Sequence, residues 1–176
     1  MLPACRQEIS PSSEDTLHRT RIDSILSKQN DVESLQRIRQ DYRKANDAVG
    51  EMLTLKRMGV VYREQNKFIE AIDAHTAWFD IATSIAYTLE MIQNLNNIGT
   101  NYRRMSMMHD ASTFHYKALT LCDKYSDTTS IVNRKNKVVS LNGIGNISLR
   151  LDDYTTADSV FRLALKGERE LGSALG

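Results

Sequence analysis

Residues 95–111 read Leu-Asn-Asn-Ile-Gly-Thr-Asn-Tyr-Arg-Arg-Met-Ser-Met-Met-His-Asp-Ala, and their pattern occurs twice more in the chain. Leu95, Ile98, Gly99 and Ala111 correspond to Leu55, Met58, Gly59 and Ala71 upstream. Downstream they correspond to Leu141, Ile144, Gly145 and Ala157. A bulky residue follows nine places after each glycine: Phe68, Met108 and Tyr154. Self-similarity at a fixed interval is the signature of a repeat array, because each unit must bury its apolar face against the next. Gly59 and Gly99 stand 40 residues apart, Gly99 and Gly145 stand 46 apart. The extra residues fall near Asp123–Asn136, where Ser126-Asp127-Thr128-Thr129-Ser130 reads as a longer loop.

Within each copy the apolar residues fall at helical intervals. Leu55, Met58, Gly59 and Tyr62 lie at i, i+3, i+4 and i+7, as do Leu95, Ile98, Gly99 and Tyr102, which puts each set on one helix face. A glycine inside a helix costs about 1 kcal/mol relative to alanine. That cost is tolerable where another helix must come close, and Ala71, Ala111 and Ala157 read as the small residues that meet the glycines. The spacing predicts a helix over about 47–65, a turn at Asn66-Lys67, and a second helix carrying Phe68, Ala71, Ile72, His75, Trp78 and Phe79. The next pair turns at Ser106–His109, with Asp110 as the cap of its second helix, which is lined by Ala111, His115, Ala118, Leu119 and Cys122. The last pair turns at Asp152-Asp153. Upstream, Ser12 and Asp31 are expected to cap two further helices. The first has Leu17, Ile22, Ile25 and Leu26 as its stripe; the second has Leu35, Ile38, Tyr42, Ala45 and Val49. Residues 1–11 read as a flexible segment, 12–46 as a degenerate or capping helix pair, and 47–176 as three repeats (about 47–85, 86–125 and 131–167). Residues 165–176 read as one helix finishing and another starting, which implies a cut edge and self-association through it.

The chain has 176 residues, 41% apolar and 26% charged, with 8 Gly and 2 Pro. That is the composition of a folded protein and too poor in turn formers for an all-β one. The net charge of +1 supplies no basic footprint for nucleic acid. No apolar run approaches the roughly 20 residues of a membrane span. The two cysteines, Cys5 and Cys122, cannot build a disulfide framework. Leu2-Pro3-Ala4-Cys5 resembles the end of a bacterial lipoprotein signal, which makes Cys5 a candidate for lipidation and a periplasmic or membrane-anchored location the expectation. An incidental Cys5 would leave the protein cytoplasmic.

The combination of Leu, apolar-Gly, Tyr, aromatic and Ala resembles the tetratricopeptide repeat. Residues 95–102 are especially similar to its longer, forty-residue class, found in kinesin light chain and bacterial signalling proteins. The resemblance covers about residues 47–176 and, more weakly, 12–46. Departures are Ser148 where Tyr is usual, His75 and His115 where an aromatic is usual, and Trp78 where a small residue is usual. The resemblance implies an all-α, right-handed superhelical array of antiparallel helix pairs whose first helices face a concave, peptide-holding side. It also implies a partner-sensing part of a larger bacterial signalling or envelope protein, with a cytoplasmic adaptor or co-chaperone-like scaffold as the alternative.

Counted from each glycine, residues three before, one after and four or five after share a helix face. They are Lys56, Val60, Arg63 and Glu64 in the first copy; Asn96, Thr100, Arg103 and Arg104 in the second; Asn142, Asn146, Leu149 and Arg150 in the third. Asparagine can donate to and accept from a peptide backbone, and arginine can grip a carboxylate with two N–H groups. This stripe is the candidate site for a protein partner or extended peptide; the bland alternative is a solvated helix face. His75 and His115 hold equivalent positions but lack a third ligand for a metal and read as core residues. No phosphate-binding loop, zinc-protease helix or nucleophile elbow is present. The expectation is a non-enzymatic module without cofactor or metal.

Overall fold

The computed structural model describes residues 13–125, 127 and 129–172. Among them the chain is all α, in eight helices: α1 (Ser13–Leu26), α2 (Val32–Lys44), α3 (Ala48–Glu64), α4 (Phe68–Ser84), α5 (Thr88–Arg104), α6 (Met108–Lys124), α7 (Ile131–Arg150) and α8 (Tyr154–Glu170). Within each compact unit the helices pack as in a helical repeat array. The expected cap at Ser12 lies outside the described residues, as do Cys5 and the last four residues.

Most connectors have three residues, and their middle residue adopts the left-handed conformation: Asn46 (φ 54°), Asn66 (58°), Ala86 (58°), Ser106 (62°) and Asp152 (60°). Each reverses the chain by one hydrogen bond from the following N–H to a carbonyl five residues back: Asp47 to Tyr42 (2.9 Å), Lys67 to Tyr62 (2.9 Å), Tyr87 to Ala82 (2.8 Å), Met107 to Tyr102 (3.0 Å) and Asp153 to Ser148 (2.9 Å). This is the Schellman closure of a helix C-terminus. The donating residue also starts the next helix. Asp47 and Asp153 cap theirs, accepting from the N–H of Gly50 and Thr156. Asp31 caps α2 through Ser34 as expected. Asp110 does not cap α6, because the turn closes at Met107; that residue takes the cap position without a side-chain bond and leaves Asp110 in the first helical turn. The longer loop lies between Lys124 and Ile131, and α7 has 20 residues against 17 in α3, α4, α5, α6 and α8.

The chain forms two compact units that divide between Tyr87 and Thr88. In the first, α1, α2 and α4 all pack on α3. Leu35, Met52, Leu53, Leu55, Val61 and Trp78 are its core. The expected stripe of α1 is half right: Ile22 and Leu26 are buried, but Leu17 and Ile25 face solvent. A single supporting helix needs only a narrow contact, and α1 seats mainly on α3 rather than pairing with α2. Polar ties reinforce these contacts. His18 Nε2 lies 2.8 Å from Asp47 Oδ2, Arg39 bonds Glu51 at 3.0 Å, and Arg57 donates to Gln29 O (2.8 Å) and to the Asn30 side chain.

In the second unit α6 packs between α5 and α7, α5 touches α7, and α8 covers α7. Ile92, Leu95, Ile98, Leu121, Val138, Leu141, Ile144 and Ile147 are its core. Cys122 is buried there too, and burial with Asp123 nearby pushes its thiol up to about 12.

The glycines are seats for rings. A Cβ at Gly59 would overlap the His75 imidazole, one at Gly99 would come within 2.9 Å of His115, and one at Gly145 within 2.7 Å of Phe161. The ring thus comes from the residue sixteen past each glycine, one turn beyond the alanine the sequence pairs with it. Ala71, Ala111 and Ala157 are fully buried, and Ala111 meets Gly99 only through its carbonyl oxygen. His115 has a second seat: Gly143 of α7 would place a Cβ 2.5 Å from its ring. The imidazole is therefore wedged between α5 and α7.

Candidate interaction face

In the first unit the candidate residues lie on α3. Lys56, Val60 and Arg63 are half-buried and Glu64 is exposed. Lys56 holds its ammonium 5.2 Å from the centre of the Trp78 ring, a cation–π contact with a wholly buried indole. Its charge is thereby engaged within the unit. The charges of Lys56 and Arg63 also reach His75, whose ring is held down to about 3, first by burial and then by these cations.

In the second unit the residues sit on α5 and α7. Asn96 is buried, at 3% exposure, and does not face solvent. Its side-chain N–H donates to Asn136 O (3.1 Å), which fixes its oxygen toward His115 Nδ1 (3.0 Å) and Ser140 Oγ (2.9 Å). His115 must therefore carry its proton on Nδ1, since an amide oxygen only accepts. Ser140 shares one proton between Asn96 Oδ1 and Asn136 O (3.0 Å). His115 Nε2 has no hydrogen-bond partner among the described residues. Burial, with Arg103 nearby, holds the ring down to about 4. This knot pins α5 to α7, and sequence reasoning had no sign of it beyond the polar residues at otherwise apolar helix positions.

The remaining members stay accessible. Thr100 and Asn142 are half-buried; Asn146, Leu149 and Arg150 are exposed. Thr100 and Asn146 each turn a donor back onto their own helix, to Asn96 O (2.9 Å) and Asn142 O (2.8 Å). Arg103 is half-buried, Arg104 is exposed, and neither forms an ion pair with a described residue; nor does Arg150. Arg103 is held below the usual guanidinium range by its burial and then by the charges of Arg104 and Arg150.

Among the described residues no group of three or more His, Cys, Asp or Glu side chains could hold a metal, and no helix is long and apolar enough to cross a membrane. No family model matches the sequence. No curated protein is significantly similar to it.

Proposed function

We propose that the chain is a non-enzymatic interaction module, a tetratricopeptide-like array that holds a protein segment against its first helices. The observation that carries this reading is the polar stripe of α5 and α7, two helices that touch: Thr100, Arg103, Arg104, Asn142, Asn146 and Arg150 are all half-buried or exposed, with no acidic residue among them. Repeat arrays use such extended surfaces for binding. Val60 and Arg63 hold the corresponding positions on α3 of the first unit. The internal knot removes Asn96 from the set, and the Trp78 contact engages Lys56. A display library of random linear peptides tests the reading. Selected peptides should bind the Arg63→Ala/Arg103→Ala variant at least tenfold more weakly, with its thermal midpoint nearly unchanged. A library that yields no binder, or binders indifferent to both substitutions, overturns it.

The same reading takes the module as the sensing part of a larger bacterial envelope protein, on the strength of the repeat resemblance and of Leu2-Pro3-Ala4-Cys5. Intact-mass analysis of the native protein decides: acylation at Cys5 supports an anchor, and an unmodified thiol supports the cytoplasmic adaptor.

A further inference from the structure

The imidazole of His115, on α6, closes the seam where α5 and α7 meet, and its two nitrogens are placed very differently. Nδ1 donates to Asn96 Oδ1 (3.0 Å), an amide that α7 holds in turn through Asn136 O (3.1 Å) and Ser140 Oγ (2.9 Å). Nε2 is the ring atom that both glycine seats share: a Cβ at Gly99 would stand 2.9 Å from it, and one at Gly143 2.5 Å. It is buried, with no hydrogen-bond partner among the described residues. A second proton would therefore land where two helix backbones converge and no acceptor receives it. From α5 the charged group that bears on the ring is Arg103, a cation that opposes another. From α7 the ring meets Gly143 and, through Asn96, Asn136 and Ser140, none of them charged. An ionised group buried without a partner is not retained: it stays neutral or leaves for water.

We propose that His115 is an acid-operated latch: protonation at Nε2 expels the imidazole from between Gly99 and Gly143 and loosens α7 from α5 and α6 while the first unit stays folded. Neutral, the ring is a wedge that fits both seats; charged, it is solvated only outside them. Once it leaves, Asn96 loses its partner on α6. What still ties α6 to α7 at the far end of the seam is Cys122, whose carbonyl accepts from Asn133 Nδ2 (3.1 Å) and whose Sγ lies 4.0 Å from Asn133 O. Burial and then Arg103 hold the seated ring down to about 4, against an ordinary 6.5 for a released one. Opening thus takes up a proton. It is rarest above pH 6.5 and grows as the pH falls below that value, by about tenfold per pH unit, until the seated ring itself titrates. The latch does not depend on what the face of α5 and α7 binds.

The buried thiol of Cys122 reports the opening. The full chain carrying Cys5→Ser keeps Cys122 as its single thiol. The probe is dithiodipyridine, which reacts in acid as well as at neutrality; each thiol that attacks its disulfide releases one coloured thiopyridone. Rates at pH 7.5, 6 and 5 are divided by those of the urea-unfolded chain at the same pH, which cancels the titration of the reagent and of the thiol itself. The ratio measures how often the seam opens. It should rise about 25-fold from pH 7.5 to 5. His115→Phe should hold it flat with pH, whatever its level. His75→Phe, in the first unit, should leave the rise intact. A rise of less than about threefold overturns the latch, and so does one that survives His115→Phe. A rise that His75→Phe diminishes as much as His115→Phe overturns it too, because Cys122 would then be reporting unfolding of the whole chain. Should His115→Phe fail to melt cooperatively, the smaller and equally untitratable His115→Gln takes its place.

Discussion

A glycine in mid-helix costs stability unless something uses the missing Cβ, and here the user is a ring. Gly59→Ala gains helix propensity of about 1 kcal/mol but drives a methyl group into the His75 imidazole. Overpacking of this kind costs about 1–3 kcal/mol, and a ring walled in by a packed helix pair sits at the upper end. The expected result is a net loss of stability, measured as a lower urea midpoint. In the Gly59→Ala/His75→Ala double variant the clash is gone, so the two losses should fall well short of additive; strict additivity would show that the ring does not rest on the glycine. The glycines were legible as sites of close approach from the sequence. Their partners were not, because a ring sixteen residues on belongs to the opposite helix, and only the packing of the pair decides whether alanine or the next inward residue reaches the groove.

At the scale of the element, the connectors repeat a single geometry at Asn46, Asn66, Ala86 and Ser106, twenty residues apart. Asparagine and serine make local hydrogen bonds that ease a left-handed backbone, whereas alanine has none to offer. Ala86→Gly should therefore raise stability by about 0.5–1 kcal/mol, the strain relieved less the added entropy of the unfolded chain. A thermal midpoint that falls would mean that the turn at 86 is not strained. Two of these turns, at Asn66-Lys67 and Ser106–His109, were legible in the sequence as breaks in apolar periodicity, whereas the one at Asn46 was not, because the apolar spacing of α2 runs on through Ala45 and Val49. Nor was the one at Ala86, since its conformation is imposed by the phase of the helices on either side. The same phase moved the start of α6 ahead of Asp110. On the helix faces, offsets from the glycine located Thr100, Arg103, Arg104 and Arg150 correctly as accessible. Asn96 was misread as accessible because a helix's own periodicity does not say that α7 will lie over it.

At the scale of the whole molecule, two buried histidines make stability depend on acidity. Burial holds His75 at about 3 and His115 at about 4, against an ordinary 6.5. Both stay neutral in the fold while the unfolded chain takes up protons below about pH 6.5. Their contribution is complete above that value and is lost as the pH falls toward 4, at up to about 1.4 kcal/mol per pH unit for each histidine. The capping carboxylates Asp31 and Asp153, lowered by hydrogen bonds from Ser34 and Thr156, add their own loss only at still lower pH. Urea titrations at pH 7.5, 6 and 5 should show this decline, and His75→Phe should flatten it, because Phe161 fills the equivalent seat in α8. An unchanged slope in that variant would show that His75 does not govern it.

The double seat of His115 bears on how such a chain can be rearranged. A key that fits two locks ties its repeat to one neighbour. The place held by Gly143, two residues before the glycine of the third copy, is held by Arg57 in α3 and Asn97 in α5. Splicing α5 and α6 ahead of a copy of either helix would drive a side chain into the imidazole. The repeats are thus not interchangeable cassettes; their order is written into them, and grafting one elsewhere means carrying the next first helix along with it.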